Sequence, residues 1–511
     1  MSLSTVHPLY EAFKLIWDKL DDVFEGQDKI KNEREKYLPP LPSMVLDGMG
    51  PNQHGAIKYE QYIYRANFPD DYSEAVRNNH GLLWSKPATI QLPDGMQYLN
   101  DKATRDGMNL QSLLGIINEM QLRNGRIGLL LDMDSEASPT NKPFISVYYA
   151  KTIRNWDKAD HREDGTVALD ALNMVVLDES GPVRVPNGFS WKEEQRRRVL
   201  MLGPLNVDDA EGEAIYQNGL FVQEDDFDPE ALITPVYHGE SLKEIPFVAI
   251  NASDCLINPD SPPLLGLANL VLSMYVSDAD YRQHLFLQSQ DTLVRVGASG
   301  AGGEEGDGKA PVRVGAGAVI DVALGGDAKY VGVESQGLSE ERLAIQNDKA
   351  EAQLKAGQMV NNTKGSQESG EALRTRIGAR TASLVQLAKT GAYGLETILK
   401  ICARWMGEDP SLVKVEPNLD FSKAQFSGQN LVQTMAARNL GAPVSLETIH
   451  EYLADQGLTK LTFEEEMKKI KDEITAYPEI LQLNQGKSDQ NAVQQGSGNN
   501  SGGGLPQQTQ S

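Results

Sequence analysis

The stretch GEEGDGKA at residues 303–310 comes closest, in residue types and spacing, to a phosphate-binding loop. Gly303, Gly308 and Lys309 stand where such a loop needs its glycines and its lysine. Ala310, however, stands where a hydroxyl side chain should bind magnesium, and the acidic residues within the loop would repel phosphate. A proline and an apparent strand follow, in place of the helix whose N-terminus would bind the anion. We therefore interpret the stretch as a surface loop.

Two other groups of charged residues could form a binding site. Asp132 and Asp134 follow an apolar run, but no histidine or third carboxylate at a telling spacing supports a metal site, so we interpret them as a solvated strand end. Arg196, Arg197 and Arg198 could bind an acidic partner; a charged strand edge that discourages aggregation is the alternative that we favour.

The remaining residue types give no catalytic pattern. The seven histidines are scattered without an HExxH spacing, and no GxSxG motif occurs. Cys255 and Cys402 are too few for a disulfide framework or a CxxC metal site, which fits a reducing compartment. The sequence therefore predicts a protein that is not an enzyme and needs no cofactor, with a hydrolase whose site lies in the strand-rich region as an alternative.

The charge balance limits the possible partners. The chain has 511 residues, of which 72 are acidic and 48 are basic, giving a net charge of −24. This charge argues against nonspecific wrapping around nucleic acid, but it allows a protein that lets nucleic acid pass without binding it tightly. No secretion signal is visible at the N-terminus, and the longest apolar run, at 264–276, is too short to span a bilayer.

Periodicity predicts a helical start followed by a strand-rich region. Apolar residues recur at helical spacing in three segments, at 8–36, 57–83 and 107–124. Gly26 interrupts the first segment, Pro69 restarts or kinks the second, and Asn109 leads the third. Five short apolar runs separated by turn residues then predict strands, at 126–133, 143–150, 171–178, 196–202 and 245–251.

From residue 263 the period becomes helical again. Helices are predicted at 263–289, at 339–357 with Ser339 as its N-cap, at 371–406, and at 427–439, 445–456 and 462–475. Thr462 followed by Glu465 matches the spacing of a capping box. A glycine-rich β island is predicted at 291–337, an extended segment at 412–421, and a disordered polar tail from residue 484 onward. The fold class is therefore α+β and mainly helical. Glycines within 371–406 indicate either a kink or a misplaced boundary, at positions 378, 391 and 394.

Two segments near this last long helix carry unusual charge. The loop NNTKGSQESGEAL at 361–373 is polar, and Lys364 is its only cation. The helix after it carries six basic residues against Glu371 and Glu396, which gives 6 − 2 = +4 in an acidic chain. Its first basic residues are Arg374, Arg376 and Arg380. The excess indicates either a solvated face with local salt bridges, or a surface facing another subunit or a polyanion.

The order of these elements, together with several local motifs, resembles the portal (head–tail connector) protein of tailed bacteriophages. The resemblance covers roughly residues 8–475. The similar motifs are GQDKIKNEREKYLPPL at 26–41, YEQYIYRANF at 59–68, PFISVYYAKTIRNW at 143–156, IPFVAINASD at 245–254, SPPLLGLANLVLSMYVSDADYRQHLFL at 261–287 and SGEALRTRI at 369–377.

The resemblance implies a portal fold divided into named regions. These are a wing at 1–262, a stem helix at 263–290, a clip at 291–337, a second stem helix at 338–357, a tunnel loop at 358–370, a long helix with the return to the wing at 371–419, a crown at 420–483 and a disordered tail at 484–511. Copies of the chain, twelve in the family, would form a ring around a DNA channel.

The resemblance also implies a site and a set of partners. The tunnel loop would offer the duplex one cation and several neutral hydrogen-bonding side chains, from Asn361, Asn362, Thr363, Lys364, Ser366 and Gln367. Arg374, Arg376 and Arg380 would face a neighbouring subunit or a polyanion. The expected partners are double-stranded DNA, the terminase large subunit, the major capsid and scaffold proteins and a head–tail adaptor, but no membrane. The expected location is the portal vertex of the virion, after assembly in the host bacterial cytoplasm. Another head–tail connector or a minor capsid protein is the alternative within the same class.

Overall fold

The computed structural model of the chain describes most of residues 3–419 and parts of 435–476. The described ranges are 3–133, 142–158, 172–186, 188–204, 214–222, 227–237, 239–289, 292–296, 319–322, 329–331, 335–356, 370–419, 435–438, 440–455, 459 and 461–476. They show a mixture of helices and strands that is about half helical, as an α+β class requires. The chain divides into two compact units, residues 1–423 and 424–511.

The helices of the described residues, in chain order, are α1 (Pro8–Glu25), α2 (Gln27–Asn32), α3 (Pro42–Leu46), α4 (His54–Arg65), α5 (Asp71–Leu83), α6 (Leu110–Arg123), α7 (Leu265–Gln288), α8 (Ser335–Lys355), α9 (Gly370–Met406), α10 (Leu446–Asp455) and α11 (Phe463–Ala476). The strands are β1 (Thr89–Gln91), β2 (Arg126–Asp132), β3 (Phe144–Tyr149), β4 (Ile153–Lys158), β5 (Leu172–Asp178), β6 (Gly181–Arg184), β7 (Trp191–Glu194), β8 (Arg197–Pro204), β9 (Ala214–Phe221), β10 (Val236–Tyr237), β11 (Glu240–Ser241), β12 (Phe247–Asn251), β13 (Thr292–Val296), β14 (Val319–Val322), β15 (Lys329–Val331) and β16 (Lys414–Glu416).

The ends of the N-terminal helices coincide with glycine, proline and capping residues in the sequence. Gly26 separates α1 from α2 with a φ of +90°, a conformation that residues with a side chain rarely adopt. The segment at 57–83 forms two helices, α4 and α5, with Pro69 between them. The Asn109 side chain accepts a hydrogen bond from the Ser112 N–H at 2.8 Å, which confirms it as the N-cap of α6.

Two antiparallel sheets form the strand-rich region. One has the order β12-β2-β3, and the other has the order β4-β5-β8-β9. The first is covered by α6 and α9, and these elements share the larger apolar core, which includes Leu114, Ile250 and Leu395. A second core lies among α4, α5, α7 and the middle of α9, around Tyr59, Tyr72 and Tyr275 and their neighbours. Both cores therefore need α9.

The prediction that Arg196–Arg198 lie on a sheet edge is wrong. Strand β8 lies between β5 and β9, with hydrogen-bonded neighbours on both sides. Arg197 is 4% exposed, and its Nη1 lies 2.6 Å from the Asp178 carboxylate. The Arg198 guanidinium pairs with Asp132 at 3.2 Å and with Glu179. Carboxylates pair with both guanidiniums, and this pairing offsets the free-energy cost of burying a charged side chain inside a sheet.

The interpretation of Asp132 as a solvated strand end is also wrong. Its side chain is 15% exposed and pairs with Arg198. Burial raises the pKa of this carboxyl, and the Arg198 charge opposes that rise. Asp134 lies outside the described residues. The ion pair of Asp132 with Arg198 therefore gives no support for a metal site at Asp132.

A partly buried ring stack joins the N-terminus to this region. The imidazole of His7 stacks on the Trp156 indole with ring centroids 4.1 Å apart, and the Arg126 guanidinium lies 4.6 Å from the centroid of the Trp156 ring. His7 also caps α1, because its Nδ1 accepts a hydrogen bond from the Leu9 N–H at 3.1 Å. Only a neutral imidazole can accept that bond. Burial and then the Arg126 charge lower the pKa of His7, while Asp157 opposes this.

This geometry predicts a pH dependence of stability. Because the folded pKa of His7 lies below its ordinary value of 6.5, the contribution is complete above about pH 6.5 and is lost as the pH falls through the lower folded pKa. His7→Asn keeps a good capping residue that does not titrate. We expect the variant to lose less unfolding free energy than the wild type between pH 7 and pH 5, measured by urea denaturation. Equal losses in both proteins would contradict this role for His7.

The second unit is described by α10 and α11. The Ser445 Oγ accepts a hydrogen bond from the Thr448 N–H at 3.0 Å, just before α10. At the start of α11, the Thr462 N–H donates to Glu465 at 3.0 Å and the Glu465 N–H donates back to Thr462 Oγ1 at 3.4 Å. This confirms the predicted capping box. The helix predicted at 427–439 lies largely outside the described residues, and the tail at 484–511 lies wholly outside them.

A short pair of strands in the first unit joins residues that are far apart in the sequence. Strand β1 pairs antiparallel with β16, so that Ile90 lies opposite Val415. Within the strand or extended link predicted at 412–421, residues Lys414–Glu416 form this strand. Among the described residues, none of the helices is both long and apolar enough to cross a membrane.

Candidate functional site

The candidate site consists of the helix pair α7–α8 and the small sheet whose strands lie between these two helices in the sequence. Strand β13 leaves the end of α7 and pairs in parallel with β14 and antiparallel with β15. The chain then returns along α7 as α8. At about 1.5 Å per residue, the 24 residues of α7 span roughly 36 Å. The arrangement is an outgoing helix, a small sheet and a returning helix.

The first part of α7 is built into the second core, and its last turns are not. Its buried residues are Leu267, Ala268, Val271, Met274, Tyr275 and Ala279. Beyond them, Leu285 is 40% exposed and Leu287 is 43% exposed. The pair is therefore anchored at one end and open towards the small sheet.

Helix α4 braces α7 through polar contacts. The Tyr62 hydroxyl donates to the Asp280 carboxylate at 2.5 Å, and Arg65 donates to Gln283. The Arg65 guanidinium also lies 4.0 Å from the centroid of the Phe286 ring. Burial, and then the hydrogen bond to Asp280, raise the pKa of Tyr62, so this phenol stays protonated as a donor at neutral pH. These contacts fix the direction in which α7 leaves the body.

Helix α8 is the least buried of the described helices that have more than 20 residues. Among its described side chains only Ala352 is buried, whereas Leu343 is 51% exposed and Leu354 is 47% exposed. The His284 Nδ1 lies 2.9 Å from a Glu341 carboxylate oxygen and joins α8 to α7. Helices in proteins gain most of their stability from packing one face, and α8 packs on little besides α7. Its outer face is therefore open in a single copy.

Most of the predicted site residues cannot be placed in this geometry. The tunnel-loop residues fall outside the described part of the chain, namely Asn361, Asn362, Thr363, Lys364, Ser366 and Gln367. Arg374, Arg376 and Arg380 belong to α9, in a part where the helix course is described and the side chains are not. The roles of all these side chains therefore stay predictions.

The later basic residues of α9 are used locally. Lys400 pairs with Glu396 one turn away, with 2.5 Å between Nζ and Oε1, and Arg404 pairs with Glu244. For these two residues the solvated face with local salt bridges is the correct interpretation. Exposed pairs of this kind contribute little to stability.

The glycines of α9 mark close packing. The helix is continuous from Gly370 to Met406, so the suspicion that its boundary was misplaced is wrong. A Cβ on Gly391 would lie 2.6 Å from Asn118 Nδ2, and a Cβ on Gly394 would lie 2.4 Å from Ile250 Cδ1. These two glycines let α9 approach α6 and β12 more closely than a side chain would allow.

A polar cavity of about 410 Å³, which we call the acidic groove, lies beside α8. It is lined by Gln27, Asn67, Phe68, Pro69, Asp70, Asp71, Glu74, Lys349 and Gln353. Its three carboxylates face one lysine, which gives 1 − 3 = −2. Asp71 is 8% exposed, and burial raises the pKa of its carboxyl, although the charge of Lys349 opposes that rise.

Two further features bear on chemistry. Among the described residues, no group of three or more histidine, cysteine, aspartate or glutamate side chains is arranged to hold a metal ion. Both cysteines are free thiols, and burial raises the pKa of Cys255 and of Cys402 to about 12. Such thiols are poor nucleophiles at neutral pH.

Sequence reasoning missed the residues that hold the helix pair. Tyr62 and Asp280 are separated by 218 residues, as are Arg65 and Gln283, and His284 and Glu341 by 57. None of these residues belongs to a local motif, so no signal in the single sequence could have paired them.

Comparison with known proteins gives two kinds of match. Residues 263–406, from the start of α7 to the end of α9, match the sequence model of a family described as a domain of unknown function (DUF4055). No curated protein sequence matches the chain. Among solved structures, the chain is similar to one from the neck of a native GTA particle computed with C12 symmetry, with 11% identity, a TM-score of 0.32, and coverage of 79% of this chain and 95% of that chain. It is likewise similar to a chain from the neck of an empty GTA particle computed with C6 symmetry, with 12% identity, a TM-score of 0.32, and coverage of 81% and 93%. TM-scores at this level do not establish a common fold.

Proposed function

We propose that the chain is a structural subunit of a phage head–tail connector, and specifically a portal protein. About twelve copies form a ring around a channel for double-stranded DNA. The stem of the ring is the helix pair α7–α8. The proposal rests on the sequence motifs that resemble portal proteins and on the open face of α8.

The open face of α8 is the observation that carries this proposal. A helix of 21 residues with a single buried side chain among those described is poorly stabilised by its own chain. Two leucines on it are about half exposed, at positions 343 and 354. Packing against a neighbouring copy would cover this face, and the same contact repeated around an axis closes a ring.

The order of elements gives further support. A body of helices and antiparallel sheets precedes α7, three short strands are described between α7 and α8, and α9, which follows the polar loop in sequence, packs in both cores of the body. This order follows the wing, stem, clip, stem, tunnel loop and wing of the portal family. The second unit, with α10 and α11, corresponds in sequence to the crown.

The partners follow from this assignment. The clip at 291–337 docks the terminase large subunit during packaging and a head–tail adaptor afterwards, while the wing faces the major capsid and scaffold proteins. The assembly site is the host cytoplasm, and the final location is the portal vertex of the virion. The chain itself supplies no chemical step, and the motor supplies the force.

Electron microscopy of the purified chain, with mass by light scattering, tests this proposal. We expect rings of about twelve subunits with a central hole. A protein that stays monomeric alone and also with scaffold and shell protein present would remove the connector assignment and reopen the search for an enzyme.

The polar loop gives a second test. One lysine per copy, Lys364, supplies a ring of weak phosphate contacts, whereas a denser set of cations would bind DNA too tightly for it to slide. Lys364→Glu replaces that ring by a repulsive one. We expect unchanged rings and a several-fold loss of packaged or retained DNA, measured as the DNA content of assembled particles. The matched control is Lys102→Glu on the exposed surface of the body. Equal DNA content in both variants would remove Lys364 from the channel.

A further inference from the structure

A two-stranded ribbon extends from the middle of the β4-β5-β8-β9 sheet. Strands β5 and β8 end their pairing with Asp178 opposite Arg197, and β6 and β7 resume it with Gly181 opposite Glu194. Among the described strands, β6 and β7 pair with each other and with no third strand. Two strands without a third strand or a helix beside them are marginally stable in water, so this extension of the sheet gains stability when a partner packs on it.

The tip of the ribbon, residues 184–192, exposes large aromatic side chains. Phe189 is 96% exposed and Trp191 is 65% exposed. Arg184 lies directly opposite Trp191 in the register, and its guanidinium lies 5.8 Å from the centroid of the Phe189 ring. Tryptophan and arginine are the residue types that most often dominate the binding energy of protein interfaces. Their adjacency on an exposed tip is typical of a contact surface.

The charge of the tip indicates what it contacts. Residues 184–192 contain Arg184 and Lys192 and no acidic residue, a formal charge of +2, but Lys192 pairs with Glu194 at 3.6 Å, so Arg184 is the cation that the tip offers to a partner. The whole chain carries −24, which leaves −24 − 2 = −26 on the rest. A second copy of the chain therefore presents an oppositely charged surface to the tip.

The acidic groove offers the best complement among the described surfaces. Its net charge of −2 is opposite in sign to the charge of Arg184, and its volume of about 410 Å³ leaves room for a side chain. Carboxylates at 70, 71 and 74 suit a guanidinium, Pro69 offers a flat apolar surface to an indole, and the amide side chains accept an indole N–H. The exposure of Phe189 shows that the tip does not reach the groove of its own copy.

We propose that the ribbon tip of one copy docks into the acidic groove of a second copy. Arg184 pairs with the groove carboxylates and Trp191 packs against Pro69. The proposal rests on the proposed ring, since two different patches of one chain make a heterologous contact that closes only around an axis. It names a contact between neighbours that is distinct from the open face of α8.

Disulfide trapping in the full-length chain tests the contact. Trp191→Cys combined with Glu74→Cys places one thiol on the tip and one in the groove. After mild oxidation we expect a ladder of covalent oligomers on non-reducing gels. The native thiols add little background, because burial raises the pKa of both to about 12. The matched control combines Trp191→Cys with Tyr393→Cys, a residue of α9 that is 63% exposed. A ladder no stronger than that of the control overturns the proposal.

A charge exchange gives an independent readout. Arg184→Glu with Lys192→Glu is expected to weaken association of copies by at least about tenfold, measured by analytical ultracentrifugation. Adding Asp70→Lys and Glu74→Lys to the same chain is expected to restore association to within about threefold of the wild type. Association that the first pair leaves unchanged, or that the second pair does not restore, overturns the contact.

These outcomes separate this contact from the ring itself. Wild-type rings without a tip-to-groove ladder overturn the docking and leave the connector assignment standing. A strong ladder without rings keeps the docking and removes the portal assignment. If the tip thiol forms no ladder in the ring and becomes protected from oxidation only when shell protein is added, the tip contacts the shell. That result also overturns docking on a second copy.

Discussion

Replacing Leu343 and Leu354 by glutamate is expected to convert assembled rings into single folded subunits. Both side chains are about half exposed in one copy, at 51% and 47%, so the substitutions cost the isolated subunit little, within about 0.5 kcal/mol each. In a ring, covering the remaining exposed half of each leucine would contribute roughly 1 kcal/mol, which the variant loses, and a carboxylate would be buried without a partner. The change repeats at every contact around the ring. Light scattering should therefore report a fall from about twelve subunits to one.

A matched control separates this effect from general surface chemistry. Leu256 is 50% exposed and Leu412 is 56% exposed, and both lie in the body away from α8 in sequence. Glutamate at these two positions should leave the ring mass unchanged. Rings that persist in the Leu343/Leu354 variant would show that the open face of α8 is not a contact between copies.

The second large effect is expected from Gly394→Val. A Cβ at this position would lie 2.4 Å from Cδ1 and from Cγ1 of Ile250, which is 0% exposed and held between α9 and the neighbouring strands. Valine adds two further methyl groups to that contact. Overpacking of this kind costs about 3 kcal/mol or more, because the surrounding core is close-packed and cannot make room. The midpoint of urea denaturation of the first unit should fall accordingly.

Gly266→Ala provides the control for this substitution. Gly266 lies in α7, and a Cβ built there meets no atom within 4 Å. Alanine at this helical position should be neutral or should stabilise the protein by about 0.5–1 kcal/mol. A loss as large as that of Gly394→Val would mean that the cost comes from the helix and not from the contact with Ile250.

Local chemistry in the sequence was enough to predict the helices and most of their caps. Asn109 and the Thr462–Glu465 box act as predicted, because a capping bond joins residues two or three apart. Ser339 is the exception. Helix α8 begins at Ser335, four residues before the predicted N-cap, so Ser339 lies within the helix and the prediction is wrong. Serine in a first turn and serine at a cap look alike in a single sequence.

The sheets were less predictable than the helices. Strand β9, AIYQNGLF, was missed because it carries polar residues and a glycine in its centre. Its place is set by pairing with β8 over eight residues, which a local pattern does not contain. The same holds for Arg197 and Arg198, whose carboxylate partners come from the strands β2 and β5 and from Glu179. A charged triplet indicates an edge only when such partners are lacking.

The order of the elements in the candidate site could be predicted from the sequence, but the contacts between them could not. The sequence showed an outgoing helix, a β island, a returning helix and a polar loop, and the structure describes the first three. The bracing of α7 by Tyr62 and Arg65 depends on residues more than 200 positions away. The acidic groove likewise joins α5 to α8. Such contacts follow from tertiary packing, which periodicity and spacing do not encode.

The pairing of β1 with β16 has a consequence for synthesis of the chain. The strand-rich region is complete in sequence at Asn251, yet its core includes Leu395 and Val415, the latter 164 residues later. At about 5–20 residues per second, a ribosome needs roughly 8–30 s to cover that distance. During this interval the nascent chain exposes the apolar surface that α9 will cover, including Ile250. Chaperones that bind exposed apolar segments therefore have a defined interval in which to engage each nascent chain, and this interval ends when Val415 has left the exit tunnel.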